Sequence, residues 1–314
     1  MSTAAPASVA LKHDLATGME FSSAGLRDLL SLAAEVKARP GEFRTALNGR
    51  FLALIFEKPS LRTRTTFEVG IQSLGGGSVF LDHTVTRLGE RETIRDVAHN
   101  LERWVHGIAA RTFAQSSIDE LAAHASIPVI NALSDLYHPC QAFADLLTLE
   151  ERFGGVRGLK FAYVGDGNNM CHSLMLAGAR VGMHVRVGTP EGYVPNPEIV
   201  AEAKRAARET RAKIELFHSA EEAVAGVQVI YTDVWASMGQ EEEADARAKI
   251  FAPFQVNKGL MKLAAQDAVF LHCLPAHRGL EVTADVIDSP RSAIYDQAEN
   301  RLHIQKAILL QLLS

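Results

Sequence analysis

Two hydrophobic periods alternate along the chain. Short, mostly apolar runs recur at 51–56 (FLALIF), 78–81, 107–111, 128–132, 160–165, 184–188, 214–217, 227–232 and 268–272. Runs of this length, bounded by turn residues, predict strands buried on both faces. Between them, apolar residues fall at helical spacing. Leu26, Leu29, Leu30, Ala33 and Val36 form one stripe, Phe67, Val69, Ile71 and Leu74 a second, and Ile94, Val97, Ala98, Leu101, Trp104 and Val105 a third. Further helices are expected at 117–125 (capped by Ser117), 137–152, 170–182, 197–210, 220–225, 257–265 and 302–313, while 234–249 reads as a long polar connection. Ser22 and Ser60 suit N-caps, Pro139 a first helical position, and Gly75-Gly76-Gly77 and Gly154-Gly155 helix stops. Strand–helix alternation predicts parallel sheets with helices on both faces. The chain thus reads as α/β, with two doubly wound parallel-sheet domains. Residues 1–136 form one and 137–299 the other, with a closing helix at about 300–314. In such sheets ligands bind at the C-terminal strand ends, here in the cleft between domains.

Composition narrows the class. At 314 residues, with 47% hydrophobic and 22% charged residues, the chain is expected to be soluble and globular. A formal net charge of -5 argues against nucleic acid as a partner. Cys140, Cys171 and Cys273 are widely spaced, offer neither a disulfide framework nor a zinc pattern, and suit a reducing compartment. Residues 1–10 lack the features of a signal peptide and are expected to fray, and no run is long enough to span a bilayer. The expectation is a cytoplasmic protein without a membrane partner.

Polar clusters gather at the predicted strand ends. Pro59 turns the chain out of the 51–56 strand, and Ser60-Leu61-Arg62-Thr63-Arg64 then opens a helix. The unpaired N–H groups of its first turn, with Arg62, Arg64 and two hydroxyls, make an anion site; the alternative is a capped helix whose arginines face solvent. Arg111 ends the 107–111 strand, and His138-Pro139-Cys140-Gln141 opens a helix. In the second half lie Asp166-Gly167-Asn168-Asn169, Asp233-Val234-Trp235-Ala236-Ser237-Met238-Gly239 and His272-Cys273-Leu274-Pro275-Ala276-His277-Arg278-Gly279. The first group suits a phosphorylated substrate, the last a cationic or amino-acid substrate. Together they suggest group transfer from a phosphate ester or anhydride to an amine. Cys273 is alternatively an inert buried thiol, and His138 a simple cap. The stretch Gly165-Asp166-Gly167-Asn168-Asn169-Met170 has two of the three glycines of a dinucleotide fingerprint, with Met170 in the third place. The histidines and Cys273 lack the spacing of a metal site, so no metal is expected.

In order and spacing, the Ser60–Arg64, His138–Gln141, Asp233–Gly239 and His272–Pro275 motifs resemble the aspartate/ornithine carbamoyltransferase family, in its ornithine branch. The resemblance runs over nearly the whole chain, to Glu299-Asn300-Arg301. It implies transfer of a carbamoyl group from carbamoyl phosphate to the δ-amine of L-ornithine, giving L-citrulline and phosphate, with no cofactor. It also implies a homotrimer with shared active sites and a last helix that returns to the first domain. By motif, Ser60, Arg62 and Thr63 would hold phosphate, with Leu61 contributing its backbone. Arg111 would reach phosphate and carbonyl, and His138 and Gln141 the carbamoyl end. Asn169, Asp233, Ser237 and Met238 would hold ornithine. Cys273 and Leu274 would line the junction of the substrates, and Arg301 would donate to the carbamoyl oxygen. Arg111, Asp233 and Cys273 are the expected catalytic groups.

Two positions depart from the family pattern. Leu61 stands where threonine is usual, and Arg87 falls where relatives carry glutamine or histidine in a loop that reaches a neighbouring subunit. Three rival readings remain at this level: another acceptor such as N-acetylornithine or putrescine, an NAD-linked oxidoreductase using the Gly165 turn, and an inactive binding protein that keeps the fold.

Overall fold

The structure, a computed structural model, describes residues 14–236 and 241–314. The fraying expected for residues 1–10 therefore lies outside the described residues. The first sheet holds β1 (Phe51–Phe56), β2 (Gly77–Asp82), β3 (Gly107–Arg111) and β4 (Val129–Leu133), in the order β2-β1-β3-β4. The second holds β5 (Lys160–Val164), β6 (His184–Gly188), β7 (Ile214–Phe217), β8 (Val229–Thr232) and β9 (Val269–His272), in the order β7-β6-β5-β8-β9. Every neighbouring pair within the two sheets is parallel.

The helices are α1 (Ser23–Ala38), α2 (Leu61–Ser73), α3 (Ile94–Leu101), α4 (Gln115–His124), α5 (Pro139–Phe153) and α6 (Asn169–Val181) in the first part of the chain. They continue as α7 (Pro197–Thr210), α8 (Ala220–Val224), α9 (Ala244–Phe251), α10 (Lys258–Met261), α11 (Ala284–Ile287) and α12 (Ile294–Leu313). Strand alternation divides the core. Leu52, Leu54 and Phe56 face a large cluster shared with α1, α5, α6 and α12, while Ala53 and Ile55 face α3 and α4. On the second sheet Tyr163 and Tyr231 face the shared cluster, and Ala162 and Ile230 face α8, α10 and α11. Both sheets are thus covered on both sides. Helix α12 packs against α1, α2, α5 and β9, so it bridges the two sheets. Among the described residues no helix is long and apolar enough to cross a membrane.

Each sheet has one point where the strand order reverses. In the first it lies between β1 and β3, in the second between β5 and β8. Loops leaving adjacent strands diverge there to opposite faces and open a crevice. The segments that follow are Ser60–Arg64 after β1, Arg111 at the end of β3, Asp166–Asn169 after β5 and Asp233 after β8.

Several expected boundaries shift. Helix α3 ends at Leu101, so Trp104 does not face inward but is 68% exposed. Val69 is also exposed, while Phe67 and Ile71 carry the buried face of α2. Ser117 is not a cap: α4 starts at Gln115, whose N–H donates to Asp135 Oδ1 (2.7 Å). The connection at 234–249 contains α9, whose buried face is Arg247 and Phe251 rather than an apolar stripe. Helix α10 stops at Met261. Helix α12 starts at Ile294, earlier than its apolar stripe suggests, because its first turns bury Gln297, Asn300 and Arg301.

Candidate functional site

A cavity of about 460 Å3 opens at the two crevices. Ser60, Leu61, Arg62 and Thr63 line it from the start of α2, Arg111 from the end of β3 and Arg301 from α12. The opposite wall carries Asn169, Asp233, Cys273 and Leu274, and His138 stands between the walls at the start of α5. Lys58 and Leu133, outside the polar clusters named above, also line it, as do Val234 and His277, which lie within those clusters without an assigned substrate role. Lys58 precedes the motif directly and could have been read as a further cation.

The first wall is built for an anion. The Ser60 hydroxyl caps α2 by accepting from Thr63 N–H (3.2 Å), and the other N–H groups of that first turn have no intrahelical acceptor. Three guanidinium groups converge beside it. Burial lowers the pKa of Arg111 to about 10, with repulsion from Arg301 and Arg62 adding to the shift. Arg301 is fully buried and lowered by desolvation, and Arg62 likewise to a lesser burial. Like charges held together in a partly dry crevice raise each other's free energy, and an anionic ligand relieves that. Arg62 also spans the cleft, donating through Nη2 to the Leu274 carbonyl (2.6 Å). Leu274 has a left-handed φ of 59° and a cis bond to Pro275.

His138 is neutral: burial first, then Arg301, Arg111 and Arg62, push its pKa well below the usual range. Its backbone N–H donates to Ser173 Oγ (2.7 Å), and its Nδ1 is buried with no hydrogen-bond partner among the described residues. Gln141, in contrast, does not line the cavity. Its Oε1 accepts from Arg301 Nη1 (2.5 Å) and its Nε2 donates to Asp145 Oδ1 (2.8 Å), so it stands behind Arg301.

The second wall centres on Asp233. Its Oδ2 accepts from Asn168 Nδ2 (3.0 Å), and its Oδ1 accepts from Val234 N–H (2.8 Å) and from the Cys273 thiol (3.0 Å). Burial, then the Asp233 charge, push the Cys273 pKa well above the usual thiol range. Cys273 is therefore an S–H donor, with Asp233 Oδ1 as its hydrogen-bond acceptor. Asn169 lines the cavity while donating to the Ser134 carbonyl (2.6 Å). Ser237 and Met238 lie outside the described residues. Arg87 does not reach this cavity; its guanidinium lies over the Phe113 ring (4.5 Å to the centroid), in a separate hollow beside Glu57.

Asp233, His272 and Cys273 bring potential metal-donor atoms within 4.8 Å of one another. Each is already engaged. The thiol donates to Asp233, and His272 Nδ1 accepts from Leu274 N–H (2.8 Å) while its Nε2 faces Glu281 Oε1 (3.2 Å).

The Gly165 turn does not fit a dinucleotide. Gly167 donates to the Tyr193 carbonyl (2.9 Å), and a Cβ there would meet Pro195 N at 2.3 Å and Val194 C at 2.4 Å. The chain's own 193–195 backbone fills the space a pyrophosphate needs, and the glycine serves that close approach.

Comparison with known proteins agrees with this geometry. A family model described as aspartate/ornithine carbamoyltransferase, carbamoyl-P binding domain, matches residues 13–151, and one described as the Asp/Orn binding domain of the same family matches 157–312. The ornithine carbamoyltransferase of Anoxybacillus flavithermus is 53% identical over 310 residues, 98% of this chain and 99% of that protein. The anabolic ornithine carbamoyltransferase of Pyrococcus furiosus is 54% identical over 269 residues, 86% of this chain and 85% of that protein. A solved ornithine carbamoyltransferase structure from Pyrococcus furiosus superposes with a TM-score of 0.93 at 49% identity, covering 96% of this chain and 97% of that one.

Proposed function

The chain belongs to the aspartate/ornithine carbamoyltransferase family, and from that premise we propose how its cavity performs the reaction. It transfers the carbamoyl group of carbamoyl phosphate to the δ-amine of L-ornithine, giving L-citrulline and phosphate. One observation carries the reading of the site: a buried guanidinium group (Arg301), two half-buried ones (Arg62 and Arg111) and a helix N-terminus face a carboxylate–thiol pair across one cavity. The first set is complementary to a dianionic phosphate, the second to an amine.

Ser60, Arg62, Thr63 and the Leu61 backbone hold the phosphate, and Arg111 reaches both phosphate and carbonyl. Arg301 donates to the carbamoyl oxygen, with neutral His138 beside it, so the oxyanion of the tetrahedral intermediate forms among fixed donors. Ornithine binds from Asn169 and Asp233, and by motif Ser237 and Met238 share that role. Its δ-amine, with a pKa of ~10.4 by analogy with lysine, is protonated in water at neutral pH and must lose a proton before attack. Asp233 orients the amine and accepts that proton, with the Cys273 thiol fixing the carboxylate. Attack on the carbamoyl carbon forms the new C–N bond; collapse breaks the C–O bond to phosphate, which leaves into the Arg62 site and takes the second amine proton.

We assign residues 1–136, with the last helix at about 300–314, to carbamoyl phosphate, and 137–299 to ornithine. A homotrimer fits an apolar strip beside the β2 edge, where Phe51, Val79 and Trp104 are exposed. Arg87 would then reach a neighbouring subunit's cavity. A role in arginine biosynthesis follows the anabolic relative, and a cytoplasmic setting suits three unpaired cysteines. The deciding experiment is citrulline formation from carbamoyl phosphate and ornithine with phosphate release followed in parallel. Equal turnover of N-acetylornithine or putrescine, or absence of citrulline, would overturn the assignment. Mass in solution tests the trimer, and Trp104→Glu should lower it.

A further inference from the structure

Behind the cavity, two helices meet through a chain of four hydrogen-bonded polar side chains. Helix α5 supplies Gln141 and Asp145, and α12 supplies Gln297 and Arg301, each pair four residues apart and so on one helix face. Arg301 Nη1 donates to Gln141 Oε1 (2.5 Å), Gln141 Nε2 to Asp145 Oδ1 (2.8 Å), and Gln297 Nε2 to the same Asp145 oxygen (2.7 Å). Gln297 Oε1 accepts from the His272 N–H (3.0 Å), at the end of β9 next to Cys273. All four side chains are buried.

The chemistry of the set has a direction. An amide has one acceptor end and one donor end, and Asp145 Oδ1 is the acceptor for two amide NH2 groups. Asp145 therefore forces the NH2 of Gln141 toward itself, and that turns Oε1 toward Arg301. Thr63 Oγ1 takes the second guanidinium nitrogen (2.8 Å), so Arg301 is pinned at two points. Through Gln297 the same carboxylate holds the backbone beside Cys273. Asp145 thus fixes two groups on opposite walls while touching neither the cavity nor a substrate.

We propose that Asp145 is a positioning residue for carbamoyl transfer, which orients Arg301 through the Gln141 amide and holds it in one frame with the β9 end through Gln297. The proposal rests on the carbamoyl-transfer reading given above. A core aspartate with no functional role would hold the helices together, and its loss would act on stability and on every step alike. A positioning role acts through Arg301 and shows chiefly in kcat, because the carbamoyl oxygen gains charge in the transition state.

The test is a double-mutant cycle on the full chain. Asp145→Asn is isosteric, so packing is kept while the group loses its ability to ionise, and kcat is compared above the Asp145 pKa of about 7, where the wild-type group is charged. It should lower kcat about tenfold, with KM for ornithine changed less than about twofold. In an Arg301→Gln background the same substitution should change kcat less than about twofold, since the group it positions is gone. Gln141→Met cuts the link without touching the carboxyl group and serves if Asp145→Asn folds poorly. It should reproduce the kcat loss, and Asp145→Asn added to it should have little further effect. Equal fold losses in both backgrounds, or wild-type kcat in Asp145→Asn, overturn the proposal. Wild-type citrulline formation run alongside separates the two claims: its absence fails the reading of the reaction, whereas normal wild-type turnover with an additive cycle fails the positioning role alone.

Discussion

Replacing Arg62 with alanine separates binding from folding more cleanly than other changes in the cavity. The guanidinium stands at the start of α2, spans the cleft to the Leu274 carbonyl at 2.6 Å, and is desolvated near Asp233 and Cys273. On the substrate side of the proposed phosphate site, the substitution is expected to remove two charge-assisted bonds to phosphate, each worth about 1.5–3 kcal/mol. The sum, about 3–6 kcal/mol, corresponds to a loss of about 10²–10⁴ in kcat/KM for carbamoyl phosphate. On the folding side the terms oppose. The Leu274 bond is lost, but so are the desolvation of the guanidinium and its repulsion of Arg111 and Arg301. Net stability should therefore change by no more than about 1 kcal/mol. The assay is citrulline formation with carbamoyl phosphate varied at saturating ornithine, beside thermal unfolding without ligand. Added phosphate should raise the melting temperature of wild type and not of the variant. A kcat/KM within tenfold of wild type would refute the anion site. A collapse in melting temperature would instead make Arg62 a structural tie across the cleft.

Gly167→Ala should lower stability by about 1–3 kcal/mol, because the new Cβ meets the 193–195 backbone rather than a mobile side chain; an unchanged melting temperature would remove the packing account of that glycine. Leu61 is 78% exposed at the cavity mouth, so Leu61→Thr should leave stability unaltered within about 0.5 kcal/mol. It should also lower KM for carbamoyl phosphate if the added hydroxyl reaches the anion, and a raised KM would show that Leu61 serves another purpose. Burial raises the Asp145 pKa from 3.8 to about 7. Between those values the folded chain keeps a proton that the unfolded chain releases, so this group's contribution to stability is full below pH 4 and declines as pH rises toward 7. Asp145→Asn lacks that decline, and its melting-temperature deficit relative to wild type should shrink between pH 5 and pH 7.5. A deficit independent of pH would show that Asp145 keeps its ordinary pKa.

Local signals carried much of this fold. Ser60 is the cap the sequence suggests, β1 runs 51–56, and α7 runs Pro197–Thr210 as its pattern indicates. Where the apolar period was masked, boundaries were missed. Helix α9 buries an arginine, and the first turns of α12 bury Gln297, Asn300 and Arg301, which sequence periodicity scores as surface. Trp104 failed the other way, as an apolar residue that α3 ends too early to bury.

The candidate site divides along the same line. The order and spacing of the Ser60, His138, Asp233 and His272 motifs were enough to point to a family, because hydroxyls, cations and a carboxylate at strand ends are legible residue by residue. Tertiary structure decided which strand ends share a crevice, since the reversals between β1 and β3 and between β5 and β8 are matters of strand order rather than of local pattern. It also moved Gln141 from the cavity wall to a place behind Arg301, and turned Gly167 from a hint of a dinucleotide into a contact with residues 193–195. The protonation of His138 and Cys273 likewise depends on the structure, because desolvation and the distance to neighbouring charges set a pKa and both are properties of the packed chain. Periodicity and motif chemistry act over a few residues and can be read from the sequence; neighbours brought together from distant parts of the chain, and the water excluded from between them, exist only once the fold has formed.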